Sequence, residues 1–419
     1  MADTGTSTTP RFGVSIVAAT FATQGVAIGL SLGAYPVFLA SLEAELGINR
    51  VQASAGIPLV LAAGALLSPW IGREVDRGSP RKIMFAGVAL MVLGLVGIAA
   101  SDHLALSVAL WIGAVGAGHA MLGPIPAMTV LTKWFVARRS TMIAIAAMGT
   151  TAGGAVTPPL AEFLIQELGW RAALASLGAL AGLIGAPVVW LGIIKRPEDI
   201  GRYPDGATEP PPPTPTQGEA ASMTHFLRDP RYWLVGSAFA LMNGVAISFI
   251  THIVAIAAER DISRQEAVLA LTTNALCTAA GKIVFGVVTD RLGPRAAGQI
   301  ATALQTVGWL GVISASDPLA FLTSAALFTF GLGCMIPCQA AFAAGIFGPE
   351  HFGRATGLIG LQTMTGALAI PIAVGVAYQH FGNYGLALQV ATLGIALPFA
   401  LFSAVRLPAG QAPRGTPAS

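Results

Sequence analysis

GKIVFGVVTDRLGPR, residues 281–295, is the stretch from which the rest of the chain can be read. Its second part, Gly286 to Arg295, has the form G-x-x-x-D-R-x-G-P-R, and a close relative, GREVDRGSPRK, occupies residues 72–82. Gly72 pairs with Gly286, Asp76 with Asp290, Arg77 with Arg291, Pro80 with Pro294 and Arg81 with Arg295, each at an offset of 214 in a chain of 419 residues. An offset of half the chain reads as one unit used twice. The first part of the stretch holds Lys282, the only Lys or Arg well inside an apolar helix. The repeat points to the architecture and Lys282 to its chemistry.

Composition places this duplicated unit in a membrane. The chain is 54% hydrophobic and only 10% charged, against about 25% charged residues in soluble domains, and its mean hydropathy is +0.71. The 50 glycines fit the same class, because small residues let membrane helices approach closely. A net charge of +3, scattered along the chain, excludes nucleic acid as an expected partner. Cys277, Cys334 and Cys338 all fall in apolar segments; the last two share a helix face, but no nearby His or acid completes a metal set, so packing is their expected role. The start, MADTGTSTTPRFG, is polar and has no cleavable signal pattern. There is no P-loop, no His-x-x-x-His and no nucleophile elbow, so neither an enzyme nor a cofactor is expected.

A membrane helix needs about 20 apolar residues. Twelve stretches qualify: 13–40, 52–72, 83–101, 104–130, 140–166, 171–194, 231–257, 266–289, 296–315, 318–346, 354–380 and 385–406. Between the sixth and seventh, EPPPPTPT at 209–216 cannot form a helix and favours an extended spacer. The expected organisation is a tail (1–12), a six-helix bundle (13–194), a Pro-rich linker (195–230), a second six-helix bundle (231–406) and a tail (407–419). The fold class is an all-α membrane protein, twelve transmembrane helices in two pseudo-symmetric six-helix bundles. With both termini inside, 18 of the 23 Lys and Arg fall on the inner side and four on the outer, Arg50, Arg171, Arg260 and Arg264. That asymmetry predicts cytoplasmic termini in the cell (inner) membrane.

A second match supports the duplication. GAGHAMLGPIP (116–126) faces GLGCMIP (331–337), with Gly116 and Gly118 falling 215 residues before Gly331 and Gly333. LGWR (168–171) and FGNY (381–384) are a weaker echo. Parallel repeats of this kind put a binding site between the halves, near the bilayer midplane.

Two six-helix halves, with G-x-x-x-D-R-x-G-type loops after helices two and eight, resemble the major facilitator superfamily over residues 13–406. Within it, WFVARRSTMIAIAAMGTTAGG (134–154), Pro158-Pro159 and GWR (169–171) resemble the monocarboxylate transporter and oxalate–formate antiporter branch. Relatives there often carry Arg on helix eight in the turn before the loop motif, where this chain has Lys282; some carry an acid one turn earlier, where it has Thr278. The oxalate exchangers have a second cation on helix eleven, and this chain has no Lys or Arg between Arg354 and Arg406. The resemblance therefore implies a secondary active transporter working by alternating access on a small organic anion, a monocarboxylate rather than a dicarboxylate, by proton coupling or exchange. The alternatives are a drug or cation exporter, which calls for a membrane-embedded acid, and a non-transporting anion sensor. The loop motif has a physical role. Asp76 and Asp290, among Arg and backbone donors, can latch neighbouring helices by charge-assisted hydrogen bonds that bias one access state. The latch set is Gly72, Asp76, Arg77, Gly286, Asp290 and Arg291.

Lys282 lies eight residues before Asp290, about 12 Å along the helix in a hydrocarbon core about 30 Å thick. A charge there costs about 2.5–3.5 kcal/mol on insertion scales. No Asp or Glu lies in the neighbouring apolar turns, so the expected counter-charge is an anionic substrate; snorkelling toward the headgroups competes. Asn274, Thr278 and Lys282 follow i, i+4, i+8, one polar stripe. Helix one offers Gln24, Ser31 and Tyr35, the last either donating to a carboxylate or sitting in the interfacial belt. His119, in mid helix four, is a candidate for anion binding, proton carriage or plain packing. Asn243 on helix seven and Gln362 complete the candidate substrate set, with His252 and Gln339 as outliers. Gly149 to Gly153 reads as helix packing.

Overall fold

The computed structural model describes residues 11–46, 55–207, 223–260, 262, 264–381 and 385–406, and every regular element among them is helical. Nine helical runs among the described residues are long and apolar enough to cross a membrane. One of these, Thr273–Ser314, is 42 residues long and breaks at Gly293 (φ 82°, ψ 164°), where spans 8 and 9 meet. With the break as a boundary, and with the helices Arg139–Leu168 and Gly385–Ala404, the passes number twelve. The break has a local cause. Pro294 follows Gly293 and cannot continue the hydrogen-bond ladder, and the backbone of Gly293 lies in a region that is essentially glycine's alone. A Cβ there would meet nothing within 4 Å, so the position is reserved by backbone conformation and not by space.

The described residues divide into two compact units, drawn from Met1–Gly64 with Glu74–Glu219 and from Ala65–Arg73 with Ala220–Ser419. Each holds its spans together by the same contacts. In the first, span 1 (Gly13–Leu39) runs through the helix Arg11–Ile28, a π turn Gly29–Gly33 and the start of the helix Tyr35–Leu46, whose end, with Glu45, lies beyond the span. Span 1 lies on span 5, Arg139–Leu168. A Cβ on Gly153 would run into the carbonyl oxygen of Gly25, one on Gly149 into that of Phe21, and one on Gly29 would sit 3.0 Å from that of Gly153. In the second unit, a Cβ on Gly366 would run into the carbonyl oxygen of Ala240, and one on Gly244 would sit 2.5 Å from that of Gly366. These are one crossing used twice. At the third point of contact the sizes are exchanged: Gln362 reaches over Gly236 where the first unit sets Gly149 against Phe21.

Spans 3 and 4 repeat in the same way. A Cβ on Gly118 would lie 2.9 Å from the Gly87 oxygen and 3.0 Å from the Met91 nitrogen; one on Gly331 would lie 2.8 Å from the Ala301 oxygen and 3.5 Å from the Gln305 nitrogen. The counterpart of Gly118 in packing is therefore Gly331, not the Gly333 that the 215-residue offset selects. The fourth span contains a π turn, Trp111–Val115, which inserts one residue and shifts everything after it. Its start, Leu104, is 214 residues before Pro318, whereas its end, Trp134, is 213 before Phe347.

At the end opposite the Asp-Arg loops, Arg171 of the GWR motif fastens three chain segments. Its guanidinium donates to Glu45 (3.0 Å), to the carbonyls of Ala99 (3.0 Å) and Ser101 (2.8 Å), and pairs with Asp102 (2.9 Å). Trp170 Nε1 also donates to the Glu45 carboxylate. The Trp170 hydrogen bond, then that from Arg171, holds the Glu45 carboxyl below its ordinary range. A depressed folded-state pKa contributes stability above the unfolded value, about 4.3 for Glu, and loses it as pH falls through the folded value. The expected result is that Glu45→Gln lowers the melting temperature at neutral pH and that the gap to wild type narrows as the pH is taken below that range. A gap independent of pH would show that the carboxylate charge contributes nothing.

At the basic end, residues following span 6 fold back on the first unit. Arg81 Nε donates to Ile193 (2.9 Å), Trp134 Nε1 to Ile194 (2.9 Å) and Lys195 Nζ to Arg77 (3.2 Å), all to carbonyls. Asp205 accepts from the Val136 and Ala137 amides at 3.1 and 2.9 Å. On the second unit, the short helix Met223–Arg228 buries Phe226 against Phe347, with ring centroids 4.9 Å apart. Of the segment read as a linker, both described ends are thus folded against a bundle; EPPPPTPT lies outside the described residues.

Candidate functional site

Close packing of spans 8 and 10 positions Lys282 in the second unit. A Cβ on Gly281 would collide with the Phe330 carbonyl, and one on Gly333 with the backbone of Gly281 and Lys282. The peptide that carries Lys282 therefore lies directly on the span 10 backbone. Lys282 is 8% exposed and Asn274, two turns away on the same face, is 4% exposed. A buried polar group must be hydrogen-bonded or cost free energy, and most of this face is satisfied. Thr278 Oγ1 donates to the Thr329 carbonyl at 3.1 Å, and Thr329 Oγ1 is 3.3 Å from Asn274 Oδ1. Asn274 Nδ2 is buried with no partner. Thr329 joins the stripe from span 10; a Thr between Phe328 and Phe330 gave no signal of that in the sequence.

The other candidates of this unit sit on spans 7, 10 and 11. Gln362 Nε2 donates to Ser237 Oγ at 3.1 Å, tying span 11 to span 7, and its Oε1 is buried with no partner. Asn243 is half-buried on span 7, and Gln339 is buried on span 10. His252 Nε2 lies 3.3 Å from the Pro371 carbonyl.

In the first unit, the π turn of span 1 decides the arrangement. It carries Ser31, whose Oγ lies 2.5 Å from the Ala27 carbonyl and 2.8 Å from His119 Nδ1. Gln24 is buried, with Nε2 3.3 Å from the Thr20 carbonyl and Oε1 with no partner. A π turn adds a residue and rotates the helix beyond it by about 100°. Tyr35, past the turn, packs against Trp111 (centroids 4.7 Å, rings tilted by 32°) beside Gly56 and lines an apolar cavity of about 90 Å³ with Phe38, Leu59 and Ser107. The sequence stripe of Gln24, Ser31 and Tyr35 is thus split: Ser31 meets His119, and Tyr35 meets Trp111.

Of the residues read as a latch, Gly72 packs within the second unit, where a Cβ on it would collide with the Gly353 backbone, and Ser68 Oγ donates to the Gly357 carbonyl at 2.8 Å. Asp76 and Gly286 are buried, Asp290 is half-buried, and Arg77 and Arg291 are exposed.

The sequence pattern of the Major Facilitator Superfamily matches residues 21–256 and again 235–419. The chain belongs to that superfamily. It is accordingly a multi-pass membrane protein and a secondary transporter, not an enzyme. Its relatives include human monocarboxylate transporter 11, 27% identical over 393 residues (89% of this chain, 78% of the relative), and bovine monocarboxylate transporter 13, 26% identical over 391 residues (91% and 86%). Solved superfamily structures share the fold. The proton:xylose symporter XylE matches with TM-score 0.71 at 13% identity over 97% of this chain and 98% of that one, and FucP, in an outward conformation, with TM-score 0.70 at 14% identity (94% and 99%).

Proposed function

We propose that this transporter carries a small organic anion, a monocarboxylate, by alternating access, and that Lys282 receives the carboxylate. The observation that carries the reading is a lysine buried in the apolar interior of a membrane bundle, on a face that also offers the spare donor of Asn274. An ionisable residue inside a membrane is costly and marks a substrate or ion path. An ammonium and an amide N–H on one helix face are both donors, which suits a carboxylate and not a cation. The names of the monocarboxylate transporters among its relatives support the same class. The basic end, with the Asp-Arg loops, is taken as cytoplasmic, and those loops as the latches of the cycle.

The test is a thermal-shift series on the purified protein against lactate, pyruvate, acetate, oxalate and a lipophilic cation, at pH values on either side of neutrality. A ligand that binds the folded form raises its apparent stability. Stabilisation by the monocarboxylates alone is the expected result. Stabilisation by the cation alone would replace this reading with that of a drug or cation exporter. Labelled-substrate counterflow in proteoliposomes separates a carrier from a sensor.

A further inference from the structure

We propose that His119 is the proton-carrying group of the transport cycle, loading the proton on Nε2 while Nδ1 stays anchored on Ser31. The assignment rests on the monocarboxylate reading and adds the residue that would couple it to protons. The hydrogen-bond geometry fixes the tautomer. A serine hydroxyl has one proton, and the short contact of Ser31 Oγ with the Ala27 carbonyl, 2.5 Å, takes it, because that carbonyl can only accept. Toward His119, 2.8 Å away, Ser31 Oγ must then accept, so Nδ1 carries the hydrogen. The Ala27 carbonyl, 3.4 Å from the same nitrogen, agrees, since it too can only accept. In this tautomer the lone pair is on Nε2. Both polar contacts of the ring are made by Nδ1, so protonation at Nε2 breaks neither.

The surroundings suit a proton site. Elements packed against the ring face it with Ala27 and Ser31 from span 1 and Gly64 from span 2, none of which titrates; a methyl added at Gly64 would sit 3.6 Å from Cδ2, the carbon next to Nε2. Behind it, Gly118 rests on Gly87 and Met91 of span 3. The charged residues of span 2, Arg73, Glu74, Asp76 and Arg77, begin nine positions beyond Gly64, about 13 Å along a helix. Tyr35, the nearest titratable group along span 1, packs against Trp111. His119 as a whole residue keeps 8% of its surface accessible. Span 1 bends into a π turn at the residue that anchors it, a distortion common at functional sites. The charges balance: a carboxylate crossing with one proton on Nε2 moves no net charge, and the proton leaves Nε2 for water when the anion is released.

The experiment uses the full chain in proteoliposomes containing a trapped pH-sensitive dye, with radiolabelled lactate as probe. Wild type is expected to show lactate counterflow and internal acidification with net uptake. His119→Gln is expected to keep counterflow, which needs no net proton movement and also reports folding, and to lose both acidification and accumulation driven by a pH gradient. Ser31→Ala, which frees the tautomer, is expected to keep counterflow and shift the pH profile of net uptake. Full acidification in His119→Gln overturns the assignment, and so does loss of its counterflow, which would make His119 a substrate contact. Wild type with no lactate counterflow removes the monocarboxylate reading and this assignment with it. Nitrogen NMR of histidine-labelled protein reads the tautomer directly, and hydrogen on Nε2 in the neutral ring would contradict the geometry.

Discussion

Lys282→Gln is expected to abolish concentrative lactate uptake while leaving expression and membrane insertion intact. A hydrogen bond to a charged group contributes about 1.5–3 kcal/mol net, and each 1.4 kcal/mol is tenfold in affinity. Losing the ammonium therefore weakens binding by about ten- to a hundred-fold. The same change removes a charge whose insertion costs about 2.5–3.5 kcal/mol, so the substituted helix enters the bilayer no less readily. The backbone at this position rests on Gly281 and Gly333, neither of which changes, so the register of spans 8 and 10 survives. Lys282→Arg keeps the charge but replaces a compact ammonium with a planar fork, and partial uptake with altered preference among acids is expected. Asn274→Ala, which deletes a neutral donor, should cost less than Lys282→Gln. Normal uptake by Lys282→Gln would remove the case for a negatively charged substrate.

How much of this was legible in the sequence varied with the chemistry of the signal. The duplication was legible because the Asp-Arg loops combine Gly, Asp, Arg and Pro, residue types scarce in apolar helices, at one fixed spacing. The packing role of Gly149 and Gly153 was legible because glycine in mid-helix has few other uses. The register of spans 4 and 10 was not, because the π turn at Trp111–Val115 inserts a residue without any compositional mark. The same device in span 1 separated Tyr35 from Ser31.

Residues whose role depends on what a neighbouring span presents were also hidden. Arg171 read as one charge on the outer side and as the end of the GWR motif, yet it binds two backbone carbonyls and two carboxylates, and nothing in its own span announces them. Thr329 joins Asn274 and Thr278 only because Gly281 and Gly333 bring two spans into backbone contact. Gln362 read as a polar candidate for the site, and its polar end is bound to Ser237 because the facing residue is Gly236.

Gly153→Leu and Gly366→Leu are expected to prevent their respective bundles from assembling, with a loss of monodisperse protein on detergent extraction in both cases. The two glycines occupy the same crossing in the two units. A Cβ on Gly153 would collide with the Gly25 carbonyl oxygen and lie 2.8 Å from its Cα; one on Gly366 would collide with the Ala240 carbonyl oxygen and lie 2.9 Å from its Cα. Those obstacles are backbone atoms that cannot swing aside by changing rotamer, so the spans must separate. Overpacking in a core that can adjust costs about 1–3 kcal/mol, and helices in a bilayer have no hydrophobic driving force to restore the contact once it opens. Alanine at either site should give a graded loss of melting temperature. Controls lie nearby: a Cβ on Gly154 would meet nothing within 4 Å, and one on Gly375 would come no nearer than 3.9 Å, to the His252 ring. Alanine at those positions is expected to be neutral or stabilising, since glycine within a helix costs about 0.5–1 kcal/mol relative to alanine. If Gly153→Leu fails and Gly366→Leu folds, spans 7 and 11 do not depend on the approach that spans 1 and 5 require, and the two halves share a sequence pattern without sharing the contact that holds each together.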